Sequence, residues 1–254
     1  MKKLKNVVCV IPARYASSRF PGKPLVRILN KPMIQWVYER AKQAAGVKDV
    51  VVATDDTRIC HAVEAFGGNV VMTSKYHPTG TSRVAEAARR YSCDIVVNVQ
   101  GDEPFISPQV IQETVKRLQK NSGVFVSTAA APFSKPAELN DVNVVKVVLN
   151  KKNEALYFSR SAIPSMQGVK LWKDVSKSVL RHIGIYAYTK SFLFKLERLA
   201  PSPLEQAERL EQLRVMENGY SIGVARVAYD GMAVDTPADL QKIKRYLSKK
   251  KNAL

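Results

Sequence analysis

Three cations stand close together near the start of the chain, Arg14, Arg19 and Lys23, with the hydroxyls of Ser17 and Ser18 between the arginines. The loop that carries them follows a short β-branched run, Val7 to Ile11, which Pro12 ends by removing a backbone donor. Fixed cations at the carboxyl end of a strand suit a polyanion such as a triphosphate, and equally describe a solvated basic loop. Farther along, Gln100-Gly101-Asp102-Glu103-Pro104 follows the most hydrophobic segment, Ile95 to Val99. A carboxylate there, after a glycine that admits close backbone approach, is a usual place for a metal–phosphate ligand. A plain Asp-Glu-Pro turn is the competing explanation.

Other candidates are less pointed. Thr54-Asp55-Asp56 ends a second apolar run, Val50 to Ala53, and so faces the same crevice. Gly80-Thr81 leads into a helix over 84–90, whose free N–H groups favour anions or polar base edges, with Ser82 available as a cap. Asp235-Thr236-Pro237 reads as a helix cap. Along Arg181 to Tyr188 the alternation puts His182, Gly184, Tyr186 and Tyr188 on one face, which suits a sugar or an ordinary half-buried strand. Glu205, Glu208, Glu211 and Gln212 form roughly one stripe on a helix expected to run to about 217.

The elements that must position these residues alternate through the first half. Short apolar strands at 7–11, 50–53, 70–72, 95–99 and 124–131 are separated by helices near 32–45, 57–66 and 108–119. That order calls for an α/β fold, Rossmann-like, with a mostly parallel mixed sheet. The pattern then changes: strands over 143–149 and 155–160 around a polar turn, the strand at 181–188, further helices, and a strand at 221–228 before a C-terminal helix over 238–247. The reading is one domain. Its α/β part covers about 1–131, a smaller β-rich part about 132–228, and a closing segment with the C-terminal helix about 229–254.

Composition narrows the classes. At 254 residues and 46% hydrophobic, the chain can bury a substantial core. The three cysteines, Cys9, Cys60 and Cys93, are widely spaced, against a disulfide framework or zinc knuckle and in keeping with a reducing cytoplasm. A signal peptide and a membrane span are not expected. Forty Lys and Arg against 22 Asp and Glu give +18. The charges are scattered and accompany no nucleic-acid motif, so a solvated surface is the expectation over nucleic acid. Neither G-x-G-x-x-G nor the P-loop pattern occurs.

Pro12-Ala13-Arg14-Tyr15-Ala16-Ser17-Ser18-Arg19-Phe20-Pro21-Gly22-Lys23-Pro24 resembles the signature loop of the 3-deoxy-manno-octulosonate (Kdo) cytidylyltransferases, within the sugar nucleotidyltransferases. The Gln-Gly-Asp-Glu-Pro string, Gly80-Thr81 with Arg83, Arg181 to Tyr186, Leu210 to Arg214 and Val234 to Pro237 extend the resemblance over nearly the whole chain. Ser82 departs from it, standing where the family has an acidic residue. The resemblance implies transfer of CMP from CTP to Kdo, an acidic sugar, with Mg²⁺ as cofactor. Arg14, Lys23 and Asp102 would be catalytic. Pro12, Ala13, Ser18, Arg19, Thr54, Asp55, Gly80, Thr81 and Arg83 would join Arg14 and Lys23 around the nucleotide. Gln100, Arg160, His182, Tyr186, Glu211 and Gln212 would hold the sugar, and Asp102 with Asp235 the metal. The resemblance also implies that about 1–131 is the nucleotide-binding part, that about 132–228 binds the sugar and forms a homodimer, and that about 229–254 is a closing segment with a metal ligand. The alternatives are another acidic sugar, 8-amino-Kdo or a sialic acid, and a non-catalytic nucleic-acid binder on the same fold.

Overall fold

The computed structural model describes residues 6–16, 20–120, 123–165, 167, 176–234 and 236–251. Ser18, Arg19 and Asp235 lie outside them. By its contacts the chain forms two compact units, 1–111 with 231–254, and 112–230.

In the first unit β1 (Val7–Ala13) is the hub. It pairs in parallel with β4 (Val47–Thr54) on one side and β6 (Ile95–Asn98) on the other, and β4 carries β5 (Val70–Met72), also parallel. Val8, Cys9, Val10 and Ile11 are at most 1% exposed, as expected of a parallel strand covered on both faces. A 3₁₀ turn (Lys23–Leu25) and a two-residue hairpin, β2 (Arg27–Ile28) with β3 (Lys31–Pro32), precede α1 (Met33–Lys42). Crossovers α2 (Thr57–Ala65) and α3 (Gly80–Ala88) complete the βαβ units. The helix α3 begins four residues earlier than the pattern suggests. Thr79 is its N-cap and Ser82 completes a reciprocal capping box, so Ser82 does serve the cap. The C-terminal helix, Pro237–Lys251, packs Leu240 and Ile243 with Val234 onto Ile28 and Met33.

The helix α4 (Pro108–Lys120) crosses the 111/112 boundary. In the second unit β7 (Val126–Ala131) is parallel to β11 (Ile222–Arg226) and antiparallel to β10 (Val179–Thr189). On its other edge β10 carries the hairpin β8 (Lys146–Leu149) and β9 (Ala155–Ser159). Residues 112–131 fall in the second unit, because β7 takes its partners from strands far downstream. The β10–β7 ladder slips between Ile183 and Tyr186 opposite Ala129 and Thr128. Two extra residues preserve the side-chain alternation, so His182 and Tyr186 stay on one face.

The single helix expected up to about 217 is two short ones: α6 (Pro203–Glu208) and α7 (Gln212–Glu217), after α5 (Lys190–Leu196). Arg209 breaks it in the left-handed region, φ 54° and ψ 46°, and Leu210 turns inward to 6% exposure. Glu205 and Glu208 therefore belong to one helix, Glu211 and Gln212 to the start of the next. The last helix becomes α8.

Candidate active site

In the first unit three loops converge at the carboxyl ends of β1, β4 and β6. The Pro12 carbonyl oxygen would lie 3.0 Å from a Cβ at Gly101, and the Pro12 ring 3.6 Å from one at Gly80. Only a residue without a side chain lets the β6 loop approach β1 so closely. Gly22 has φ 69° and seats the 3₁₀ turn, and its N–H donates to the Tyr15 carbonyl at 2.9 Å. The Tyr15 ring lies beneath the Arg58 guanidinium, 3.3 Å from its centroid, and Arg58 is fixed by the Asp56 cap. Both ends of the cationic loop are thus anchored.

Lys23 reaches across to Asp102, Nζ to Oδ2 at 2.8 Å, with side chains 15% and 29% exposed. The Arg14 guanidinium donates to the His77 carbonyl at 3.0 Å. Burial, then the neighbouring charge of Arg83, lowers its affinity for a proton, and Asp55 works against them. Arg83 is wholly buried: NH1 donates to Thr73 Oγ1 at 2.6 Å, and NH2 lies 3.0 Å from Asp55 Oδ2. Thr73 in turn donates to the Thr54 carbonyl at 3.1 Å, tying this arginine to the end of β4. Its Nε meets no acceptor among the described residues. Pro12, Ala13, Arg14, Lys23, Thr54, Asp55, Gly80, Thr81, Arg83, Gln100 and Asp102 thus share the first unit. Among them three cations, Arg14, Lys23 and Arg83, stand against two carboxylates, Asp55 and Asp102, an excess of positive charge where a polyanion would sit.

The Val234 N–H donates to the Asp102 carbonyl at 2.9 Å, so the closing segment passes beside this aspartate. No group of three or more His, Cys, Asp or Glu side chains is gathered among the described residues. A single part-exposed carboxylate fits an open site for a hard cation such as Mg²⁺, which keeps waters and phosphate oxygens as its other ligands.

The second unit carries Arg160, His182, Tyr186, Glu211 and Gln212. Arg160 is held by Glu208: its N–H donates to the carboxylate at 2.8 Å and its Nε to the Glu208 carbonyl at 3.0 Å, while NH1 donates to the Val142 carbonyl at 3.2 Å. Ser159 Oγ donates to the same carboxylate at 2.6 Å. Beneath them Lys146, fully buried, donates to the carbonyls of Asp141, Val144 and Arg160. The His182 ring packs edge-on to Phe158 at 5.0 Å and tilts against Tyr186 at 5.6 Å. Burial pushes the His182 imidazole down to about 3, so it is neutral at ordinary pH. Burial, then the Glu211 carboxylate, pushes the Tyr186 phenol up. Gln212 is 7% exposed and its Nε2 meets no acceptor among the described residues.

Lys146 was not singled out from the sequence, and Glu208 only as one member of the glutamate stripe. A lysine flanked by valines in β8 was the one available sign, because a buried ammonium must be met by acceptors.

A cytidylyltransferase family profile matches residues 8–222. A 3-deoxy-manno-octulosonate cytidylyltransferase of Geobacter metallireducens is 46% identical over 252 residues, covering 96% of this chain and 98% of that one. An 8-amino-3,8-dideoxy-manno-octulosonate cytidylyltransferase of Shewanella pealeana is 49% identical over 241 residues, covering 93% and 96%. A solved structure of CMP:2-keto-3-deoxy-manno-octonic acid synthetase complexed with CTP matches with a TM-score of 0.90 at 44% identity, covering 96% of this chain and 99% of that one. A 4-diphosphocytidyl-2C-methyl-D-erythritol synthase from Anaerococcus prevotii shares the fold, with a TM-score of 0.63 at 14% identity. With a profile spanning most of its length and relatives matched end to end, this chain belongs to the cytidylyltransferase family.

Proposed function

We propose that the chain transfers CMP from CTP to Kdo, giving CMP-Kdo and pyrophosphate for lipopolysaccharide biosynthesis. The observation that carries this reading is the meeting of Lys23 with Asp102 beside the Pro12–Gly101 contact. It joins the phosphate-binding type of loop to a carboxylate at the end of β6. In the reaction a sugar hydroxyl bonds to the α-phosphorus, the bond to the β-phosphate oxygen breaks, and the hydroxyl proton is lost. Such a displacement needs in-line placement and charge neutralisation, with no protein nucleophile.

Arg14, Ser18, Arg19 and Lys23 bind the triphosphate, and Arg14 and Lys23 offset the charge that grows on the leaving pyrophosphate. Pro12, Ala13, Thr54, Asp55, Gly80, Thr81 and Arg83 seat the nucleoside. Asp102 and Asp235 would hold Mg²⁺, whose charge would supply further neutralisation at the α-phosphate. Gln100, His182, Tyr186, Glu211 and Gln212 hold sugar hydroxyls, and Arg160 grips the sugar carboxylate. We place the reaction in the cytoplasm, in keeping with three widely spaced cysteines, and in a homodimer formed through the later strands.

A pyrophosphate-release assay with Kdo and CTP, UTP or ATP tests the reading, and absence of CTP-dependent release refutes it. The 49% identity to an 8-amino-sugar enzyme favours a second reading, in which 8-amino-Kdo is the acceptor. The same assay with both sugars decides by the ratio of their kcat/KM values.

A further inference from the structure

Thr128 sits in the middle of β7 with no exposed surface, and its hydroxyl meets three groups at once. Oγ1 is 2.6 Å from the Ile185 carbonyl oxygen, 3.3 Å from that of Ile183, and 2.9 Å from His182 Nε2. The two-residue slip in β10 places both carbonyls opposite this one side chain. A hydroxyl has a single proton, and two oxygens 2.6 Å apart repel unless a proton lies between them. The Thr128 proton therefore goes to Ile185, and Oγ1 can only accept from the imidazole. His182 must carry its proton on Nε2. Its other nitrogen, Nδ1, is then a bare acceptor, and among the described residues no protein group donates to it. Phe158 and Tyr186 both pack against the ring.

We propose that Thr128 is a positioning residue that fixes the Nε2–H tautomer of His182 and so presents Nδ1 as the acceptor for a hydroxyl of the acidic sugar. This rests on the reading of His182 as a sugar-facing residue. A threonine that only satisfied the slipped carbonyls of β10 would stabilise the strand with no effect on the tautomer.

The experiment is nitrogen-detected NMR of the full-length protein with labelled histidine. There are three histidines, His61, His77 and His182, and a His182→Asn variant assigns the last. The wild type should show protonated Nε2 and unprotonated Nδ1 from pH 6 to 8, and Kdo added with CTP in the absence of metal should move the Nδ1 signal. Thr128→Val, nearly the same shape without the hydroxyl, should lose the fixed tautomer and raise KM for Kdo about fivefold, a neutral hydrogen bond's worth. Its KM for CTP should stay within twofold. Thr128→Ser should restore both readouts. A wild-type proton on Nδ1 overturns the proposal. So does a Thr128→Val protein with unchanged tautomer and KM, or one whose loss merely follows its lower melting temperature and is not rescued by serine. If the wild type turns over no acidic sugar, the transfer reaction is what fails; an Nδ1 signal that ignores added Kdo then overturns the acceptor role, and one that moves supports it.

Discussion

Replacing Lys23 by alanine separates two interactions of this ammonium. Toward Asp102, two unit charges 2.8 Å apart attract by about 6 kcal/mol at an effective dielectric of about 20. Desolvation and side-chain ordering cancel most of that in a part-exposed pair, leaving about 1 kcal/mol of folding stability. For a chain of this size that is a drop in Tm of about 2–4 °C. Toward the triphosphate, a preorganised donor aimed at charge developing in the transition state is worth about 3–4 kcal/mol, or about 10²–10³ in kcat. Lys23→Ala should therefore keep its fold and lose about 10²–10³ in kcat at saturating CTP, Kdo and Mg²⁺, while Lys23→Arg, which retains the charge, recovers part of it. Steady-state pyrophosphate release and a thermal melt on the same preparation read both effects. A kcat within threefold of wild type refutes the reasoning, because the lysine would then not act on the triphosphate. A Tm loss above about 10 °C refutes it as well, since the activity would be following the fold.

Asp102→Asn removes the charge that suits a divalent cation and should abolish Mg²⁺-dependent turnover; activity with an unchanged Mg²⁺ titration would count against the carboxylate's role. Gly101→Ala places a Cβ 3.0 Å from the Pro12 carbonyl oxygen, and that crowding should cost about 1–3 kcal/mol in a urea melt together with a loss of kcat/KM for CTP; an unperturbed variant would show that the two loops can separate freely. His182 has an ordinary value near 6.5 when unfolded and about 3 when folded, so the unfolded chain takes up a proton first as pH falls. Its contribution is complete above about pH 6.5 and is lost toward pH 3, at up to about 1.4 kcal/mol per pH unit; the His182→Asn variant should show a shallower acid slope in urea melts between pH 7 and 5, and equal slopes would refute the buried neutral imidazole.

What could be read in advance follows from how local each signal is. The strands β1, β4 and β6 announce themselves as β-branched runs, so the parallel α/β arrangement followed from sequence alone; Pro12 does not end β1 as expected, because a parallel ladder with β4 carries the strand on through Ala13. The hairpin of β8 and β9 had an equally local sign in its polar turn. The break at Arg209 had none, because neither glycine nor proline marks it and burial of Leu210 drives it. The unit boundary at 111/112 falls inside an unbroken helix, and is set by β7 pairing with β10 and β11. Roles for Arg160, Glu211 and Gln212 came from family resemblance, since a glutamate stripe or a lone arginine carries no ligand in its spacing. The Thr128–His182 contact joins residues 54 apart across a slipped ladder, which no periodicity can show.

On the proposed reading the two units meet their ligands by different physics, and the residue types follow. A triphosphate is recognised by charge, so the first unit gathers three cations and keeps two of them ready against Asp55 and Asp102, which spares them from uncompensated burial. Sugar hydroxyls carry no charge, and a site that reads them gains selectivity from buried neutral groups that are costly to leave unpaired. The neutral imidazole of His182 and the unmet Nε2 of Gln212 are groups of that kind. Arg160 and Glu211 are the charged members of the sugar-facing set, and Arg160 is restrained through Glu208, the Val142 carbonyl and the buried Lys146. A guanidinium tethered in this way cannot swing to follow a phosphate, so its direction is set before a carboxylate arrives.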